Sequence, residues 1–485
     1  MTVLVGLDVG TTGVKAIAIS PDGAVLARAE RSYALSTPQP GWSEQDPEDW
    51  WQAAEAAITE ISAGRDIAGI GLSGQMHGLV ALDSADRVIR PAILWNDQRT
   101  GAQCATIERT VGLNRLIELT GNRALPGFTA PKLVWLREHE PHTYARVARI
   151  CLPKDYVRLR LTGSWTTDVA DASGTLLLDV AERRWSEAVL DALEIPSGWL
   201  PPVIESPSVS GTTSTGVPVA AGAGDCAAAA LGVGVERPGP VSVVLGTSGV
   251  VFAALPAYRP DERARLHVFC HAAPGAWHAM GVMLSAAGSL QWLRDVVAPE
   301  LTFDALVAEA EPWKPGAEGL LFLPYLQGER TPHADPDARG AFTGLQLRHD
   351  RGALVRAVLE GVACGLRDSL DLLPALGVEV SSARASGGGA RSLLWLRICA
   401  SVLGVPIERT VAEEGSAFGA ALLGGIAGGV FSDVHEAVAA AVRTRDVVEP
   451  DPVWRDVYAE LHARYRALYP ALRGLDSPGG DTVEQ

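Results

Sequence analysis

The chain has 485 residues, 47% of them hydrophobic and 20% charged, enough to bury a large core and to form two or more domains. Forty-one basic against 57 acidic residues leave a formal net charge of −16, which argues against nucleic acid or an anionic membrane as the main partner. A phosphorylated ligand would be repelled at long range, so a site for one must draw on backbone N–H groups, a metal ion and a few local cations.

Residues 3–9, 14–19 and 24–29 read as an antiparallel meander, its last two strands joined by the turn Ser20-Pro21-Asp22-Gly23. The first two strands flank Gly10-Thr11-Thr12-Gly13-Val14, and the same kind of turn recurs 236 residues later as Gly246-Thr247-Ser248-Gly249-Val250. Glycine and hydroxyl residues between strands let backbone N–H and side-chain O–H groups converge on a phosphate, so the pair reads as two jaws around one nucleotide. The copies differ at one place: Asp8 precedes the first turn, and Val244 holds the equivalent position before the second. An acid kept in one jaw points to a metal ion or to chemistry. Two ordinary hairpin turns are the plainer reading of either copy alone.

Asp46-Pro47 suit an N-cap and first turn, and Trp50, Trp51, Ala54, Ile58 and Ile61 recur at helical spacing, so a helix covering the meander is expected. The strands at 67–72 and 92–94 run into Ser73-Gly74-Gln75-Met76-His77-Gly78 and Trp95-Asn96-Asp97-Gln98-Arg99, both candidate substrate loops because ligands of open α/β sheets sit beyond strand ends. After the loop at 206–216 and a strand at 217–220 comes Gly222-Ala223-Gly224-Asp225-Cys226-Ala227. It fits a dinucleotide pattern but stands too late in its domain for one. Asp225 is better read as a carboxylate presented at a strand end, able to accept a proton from a substrate hydroxyl, with a helix-capping Asp as the alternative. Glu236-Arg237-Pro238-Gly239-Pro240 marks the domain boundary, giving domains at 1–238 and 239–473. In the second, Ser386-Gly387-Gly388-Gly389-Ala390-Arg391-Ser392 is a strand-to-helix turn, residues 415–431 form a buried helix rich in small residues, and a closing helix begins at Asp451-Pro452. The tail at 474–485 lacks apolar periodicity and is expected to be disordered. Six cysteines without a C-x-x-C pair suit a reducing compartment, and a first strand starting near Met1 leaves no room for a signal peptide, so a cytoplasmic location is expected. His267-Val268-Phe269-Cys270-His271 has metal-ligand residue types, but strand alternation would point them to both faces.

Asp8, the two turns, Asp225 and the triple-glycine turn together resemble the architecture shared by sugar kinases, actin and heat-shock ATPases. The stretch from Gly127 through Phe128-Thr129-Ala130-Pro131-Lys132 to His139 resembles the first signature of FGGY-type carbohydrate kinases, and Glu414-Gly415-Ser416-Ala417-Phe418-Gly419-Ala420-Ala421 resembles the second. Gln75-Met76-His77-Gly78, Leu94-Trp95-Asn96-Asp97, Leu152-Pro153-Lys154-Asp155-Tyr156, Asp171-Ala172-Ser173-Gly174-Thr175 and Gly328-Glu329-Arg330-Thr331-Pro332 are most similar to the branch of that family that phosphorylates D-xylulose. The branch carries Asn after the catalytic Asp, where this chain has Cys226, a poorer hydrogen-bond partner.

The resemblance implies an α/β fold of two duplicated actin-like (ribonuclease H-like) domains with the active site in the interdomain cleft. It implies ATP and Mg²⁺ as cofactors and a small-molecule sugar as substrate, with neither nucleic acid nor membrane as partner and a homodimer left open. Asp225 would be general base and, with Asp8, hold the metal. Thr11, Thr12, Gly246 and Thr247 would bind phosphate oxygens, and Gly388 and Gly389 adenine or ribose. Gln75, Met76, His77, Trp95, Asn96 and Asp97, with Asp225, would meet the sugar. A sister kinase acting on ribulose, gluconate or another polyol is the alternative within the family. A chaperone ATPase and a non-catalytic sugar sensor are the alternatives outside it; the first would need a client domain, and the second would need neither Asp8 nor Asp225.

Overall fold

The computed structural model describes residues 2–476, which divide into two compact units. Of these, the first comprises residues 2–237, 254–278 and 414–443, and the second 238–253, 279–413 and 444–476. The expected tail starts inside the last helix, Pro452–Asp476, and the rest of it lies outside the described residues. No described helix is long and apolar enough to cross a membrane.

In the first unit β1 (Thr2–Val9), β2 (Gly13–Ile19) and β3 (Val25–Ser32) form the expected meander. The sheet continues on the other side of β1 through β4 (Asp66–Gly74), with β5 (Val209–Thr212), β6 (Pro218–Ala220) and β7 (Ala223–Gly224) beyond it. The path runs β5-β6-β4-β1-β2-β3, and β7 also pairs with β4. One face is covered by helix Pro47–Ser62, capped by the Asp46 side chain and burying Trp50, Ala54, Ala57 and Ile61 over β2 and β3. The opposite face carries helix Gly415–Ala427. Its small residues allow backbone to approach backbone: a Cβ on Gly71 of β4 would lie 1.8 Å from the Ala420 carbonyl oxygen.

In the second unit, five strands of its sheet repeat the pattern. They are β8 (Pro240–Leu245), β9 (Gly249–Leu255), β10 (Ser382–Ser386), β11 (Ile407–Thr410) and β12 (Thr444–Val448), in the order β9-β8-β10-β11-β12. As β1 does with β2 and β4, β8 pairs antiparallel with its hairpin partner β9 and parallel with β10. The hairpins are not identical. Val9 faces Val14, whereas Leu245 faces Gly249, so the second turn is one residue tighter than the first. Helices Arg351–Leu370 and Leu393–Leu403 form the interior of the second unit. The closing helix buries Tyr458, Leu461, Tyr465 and Tyr469, while Val457, expected on the same face, is exposed one turn from the helix start.

Candidate active site

Sheet pairing brings the two singled-out carboxylates to one end of the first sheet. Asp8 stands opposite Ser73 in the β1–β4 register, and Ser73 stands opposite Ala223 in the β4–β7 register, two residues before Asp225. Asp225 opens helix Asp225–Gly232, whose N-cap is Gly224, so its side chain is not the cap. Its Oδ1 instead accepts the Cys226 N–H at 2.7 Å. Burial pushes the Asp8 carboxyl up to about 7, and the charge of Asp225 pushes in the same direction; Lys15 and the Ser73 hydroxyl, 3.4 Å from Asp8 Oδ1, offset part of this. Asp225 is raised as well, by burial, against hydrogen bonds from Cys226. Two neighbouring buried carboxyls, both raised by burial and Asp8 further by the charge of Asp225, form a site suited to accepting a proton or holding a cation.

The first Gly-Thr turn is braced by side chains that its sequence does not announce. The Gly10 carbonyl accepts from Tyr33 OH and, at 3.4 Å, from Gln75 Nε2; the Thr11 carbonyl accepts from Gln45 Nε2 at 2.7 Å. Gln45 is itself held by the indole N–H of buried Trp50 at 3.0 Å. With its carbonyls occupied, the turn leaves the Thr12 side chain in solvent.

Of the residues expected against a sugar, Met76 lies beside the Asp225 loop, and His77 follows it in the chain. Met76 packs on the Gly224 backbone, where an added Cβ would meet its Cγ at 2.6 Å. His77 has a left-handed backbone, φ 70°, an uncommon conformation for a residue with a side chain. Its carbonyl is clamped by Thr129 Oγ1 at 3.0 Å and Lys132 Nζ at 2.8 Å. Its Nδ1 lies 2.6 Å from the Gly174 carbonyl, which can only accept, so the ring carries its proton on Nδ1. Lys132 is fully buried and its pKa is lowered to about 7 by that burial, against the pull of Asp97. Trp95 is 42% exposed and Asn96 keeps a buried Oδ1 with no hydrogen-bond partner. Asp97 is placed differently: it is fully buried, and its oxygens accept from Ser43 N at 2.7 Å and from the Nε and Nη2 of Arg99 at 2.9 and 2.7 Å. That saturated carboxylate shapes the loop.

Lys154, Asp155 and Asp171, quoted above only as motif letters, form a buried charge cluster behind the site. Lys154 Nζ lies 2.6 Å from Asp155, 2.6 Å from Asp168 and 3.1 Å from Asp171, and Arg158 bonds Asp155 and the Ala221 carbonyl just before the Asp225 loop. Asp168 caps the short helix Val169–Ser173, which ends at the Gly174 held by His77. The cluster thus holds the Asp225 loop and the His77 loop in one frame. The residues from His267 to His271 do not gather: His267 bonds Asn122, His271 bonds the Val235 carbonyl, and burial lowers the His271 pKa to about 4. Among the described residues no group of three His, Cys, Asp or Glu could hold a metal by itself.

In the second unit Gly246, Thr247, Gly388 and Gly389 line one cavity of about 530 Å³, a size that suits a nucleoside. Leu290, Gln291, Phe303 and Trp395 are among its other lining residues; these were not legible in the sequence because they come from three separate segments. The Gly246 and Thr247 carbonyls are taken by the N–H groups of Ala287 and Ala286, both at 2.8 Å. The two glycines differ in kind. A Cβ on Gly389 would meet Leu245 Cβ at 2.8 Å and the Trp395 ring at 2.9 Å, whereas a Cβ on Gly388 would meet nothing within 4 Å. The protein's own packing requires the first glycine only. Glu329, in the second unit, is raised to about 8 by burial and binds the backbone N–H groups of Leu284 and Arg330, a bracing role.

Residues 3–232 match the N-terminal domain of the FGGY family of carbohydrate kinases, and residues 241–428 match its C-terminal domain. The chain is 43% identical over 436 residues to a xylulose kinase of Escherichia coli (strain K12), covering 87% of this chain and 90% of that one. It is 37% identical over 492 residues to a xylulose kinase of Bacillus subtilis (strain 168), covering 98% of each. Among solved structures, a kinase from Brucella ovis described as a xyloylose kinase superposes with a TM-score of 0.93 at 43% identity, covering 98% of this chain and 100% of that one. With a family match over both halves and full-length relatives above 30% identity, the chain belongs to the FGGY family of carbohydrate kinases.

Proposed function

We propose that this chain transfers the γ-phosphoryl group of ATP to the terminal hydroxyl of D-xylulose. The observation that carries the proposal is the pair Asp8 and Asp225, presented side by side at the ends of β1 and β7 within a chain similar along its whole length to xylulose kinases. Asp225 takes the proton from the sugar hydroxyl as that oxygen attacks the γ-phosphorus in line, and ADP leaves with the bridging oxygen. Burial raises the Asp225 carboxyl above the ordinary carboxylate value, which makes it a stronger proton acceptor than a carboxylate in water. The hydroxyls of Thr11 and Thr12 and the turn at Gly246 and Thr247 bind phosphate oxygens, and the cavity beside Gly388 and Gly389 takes the nucleoside. Met76, His77 and the exposed face of Trp95 orient the sugar, with Gln75 and Asn96 as polar neighbours.

Mg²⁺ fits Asp8 and Asp225, because a cation would offset the cost of burying both negative charges and the repulsion that Asp225 exerts on Asp8. When bound with ATP it would spread the phosphate charge. The donor set suits it: Mg²⁺ is usually held by one or two carboxylates plus water and phosphate, so no all-protein cage is required. ATP turnover measured across ketoses, aldoses, polyols and sugar acids is the test. D-xylulose should give the highest kcat/KM; a preference for ribulose, gluconate or a polyol would move the chain to a sister activity, a shift that Cys226 beside the base would accompany.

A further inference from the structure

The Trp95 indole N–H donates to Thr11 Oγ1 at 2.9 Å, joining the loop expected against the sugar to the turn expected against phosphate. The loop that carries it is fixed on both sides. Leu94 N donates to the Ser43 carbonyl at 3.0 Å, Gln98 N to the Gly41 carbonyl at 2.8 Å, and Gly127 lies so close that a Cβ there would sit 2.7 Å from the Trp95 carbonyl oxygen. Yet Trp95 stays 42% exposed, while Trp50 is fully buried. A large ring held at its backbone and its N–H, with the rest in solvent, presents a face for a ligand.

A threonine hydroxyl has one proton and two lone pairs. Trp95 occupies one lone pair of Thr11, and the Thr11 proton goes to Gln75 Oε1 over 3.3 Å, a long bond that an anionic oxygen would outcompete. Gln75 would stay in place after losing that donor, because its Nε2 is held by Gln45 Oε1 at 3.2 Å and the Gly10 carbonyl at 3.4 Å.

We infer that Trp95 is a positioning residue that aims the Thr11 hydroxyl at the nucleotide phosphate and so makes nucleotide affinity depend on sugar occupancy. The inference rests on the site being that of a sugar kinase. A sugar resting on the ring restricts its motion, which holds the N–H on Thr11 and directs the single Thr11 proton outward. The donor chain is then ordered before the phosphate arrives, and the nucleotide binds with less ordering left to do.

The test is a double-mutant cycle on the full chain with Mg²⁺, titrating a non-hydrolysable ATP analogue with and without D-xylulose. In the wild type the sugar should tighten the analogue. Trp95→Phe keeps an aromatic face but loses the N–H, and should remove roughly 2- to 10-fold of that tightening, the range for one neutral hydrogen bond, while sugar affinity changes less. Thr11→Val should do the same, the double variant should be no worse than either single one, and Thr11→Ser should restore the coupling. Thr11→Ala replaces Thr11→Val if the latter does not fold. Full coupling retained in Trp95→Phe, or effects that simply multiply in the double variant, would overturn the inference. Should the wild type turn over a different sugar, the D-xylulose reading fails by itself, and the cycle run with that sugar decides the role of Trp95 under the same two outcomes.

Discussion

Asp225 follows a strand of two residues and starts a helix, so its carboxylate is held by backbone on both sides. Asp225→Asn should preserve that placement and remove the proposed proton acceptor. The expected loss in kcat is roughly 10²- to 10⁴-fold with little change in sugar affinity, read from steady-state rates and calorimetry. Asp8 makes a separate prediction about pH. Its folded pKa of about 7 lies above the ordinary carboxyl value of 3.8, so the folded protein holds a proton that the unfolded chain releases. The stability this contributes is present in full below the unfolded value and is lost as pH rises through about 7. Without Mg²⁺ and nucleotide, Asp8→Asn should therefore gain stability relative to wild type between pH 5 and 8, by on the order of 1–4 kcal/mol. Urea unfolding at several pH values measures it. A difference independent of pH would show that Asp8 titrates normally, and added Mg²⁺ should narrow the gap if Asp8 holds the ion.

At the scale of single elements, the turn between β10 and helix Leu393–Leu403 separates packing from binding. Gly389→Ala drives a methyl group into Leu245 and Trp395 and should cost about 1–3 kcal/mol. Gly388→Ala has room, so its melting temperature should match the wild type while KM for ATP rises several-fold, because the space it enters is where the nucleoside would lie. Equal stability loss in both variants would contradict this division. The helix Gly415–Ala427 shows the same logic on a larger surface. Gly71→Val would force a branched side chain against the Ala420 backbone, and a loss above about 3 kcal/mol in chemical denaturation is expected.

At the scale of the molecule, the first unit is built from three stretches of chain. Residues 414–443 supply the helix that covers β1 and β4 and also packs on helix Asp225–Gly232. A fragment of residues 1–237 would expose that face and should show no cooperative melting transition by calorimetry, whereas the full chain should. A fragment that melts cooperatively would show that the helix only decorates the sheet. The net charge of −16 acts over the whole molecule as well. Raising ionic strength from low to physiological values should modestly speed nucleotide association, since the long-range repulsion is screened while the local contacts are not. Stopped-flow association rates at fixed free Mg²⁺ would record a fall instead if local cations dominated.

Local signals in the chain determined much of this. The meander, the Asp46 cap, both Gly-Thr turns, the strand-to-helix turn at Gly387 and the chemistry-bearing types at Asp8 and Asp225 are set by neighbours a few residues apart, and spacing reports such neighbours directly. The similarity of the two signatures to FGGY kinases gave the family. Tertiary structure decided what depends on contacts distant in sequence. It placed Asp97 in a saturated pair with Arg99, turned Lys132 into a clamp on His77, and made Lys154 the centre of a buried cluster linking two loops. It braced the first turn with Gln45 and Tyr33, and it returned residues 414–443 to the first sheet. A side chain's type and period state which contacts it is able to make, whereas its partner is chosen by the register of strands brought together from far along the chain. Asp8 and Asp225, 217 positions apart in sequence, become neighbours only because β1 and β7 both pair with β4.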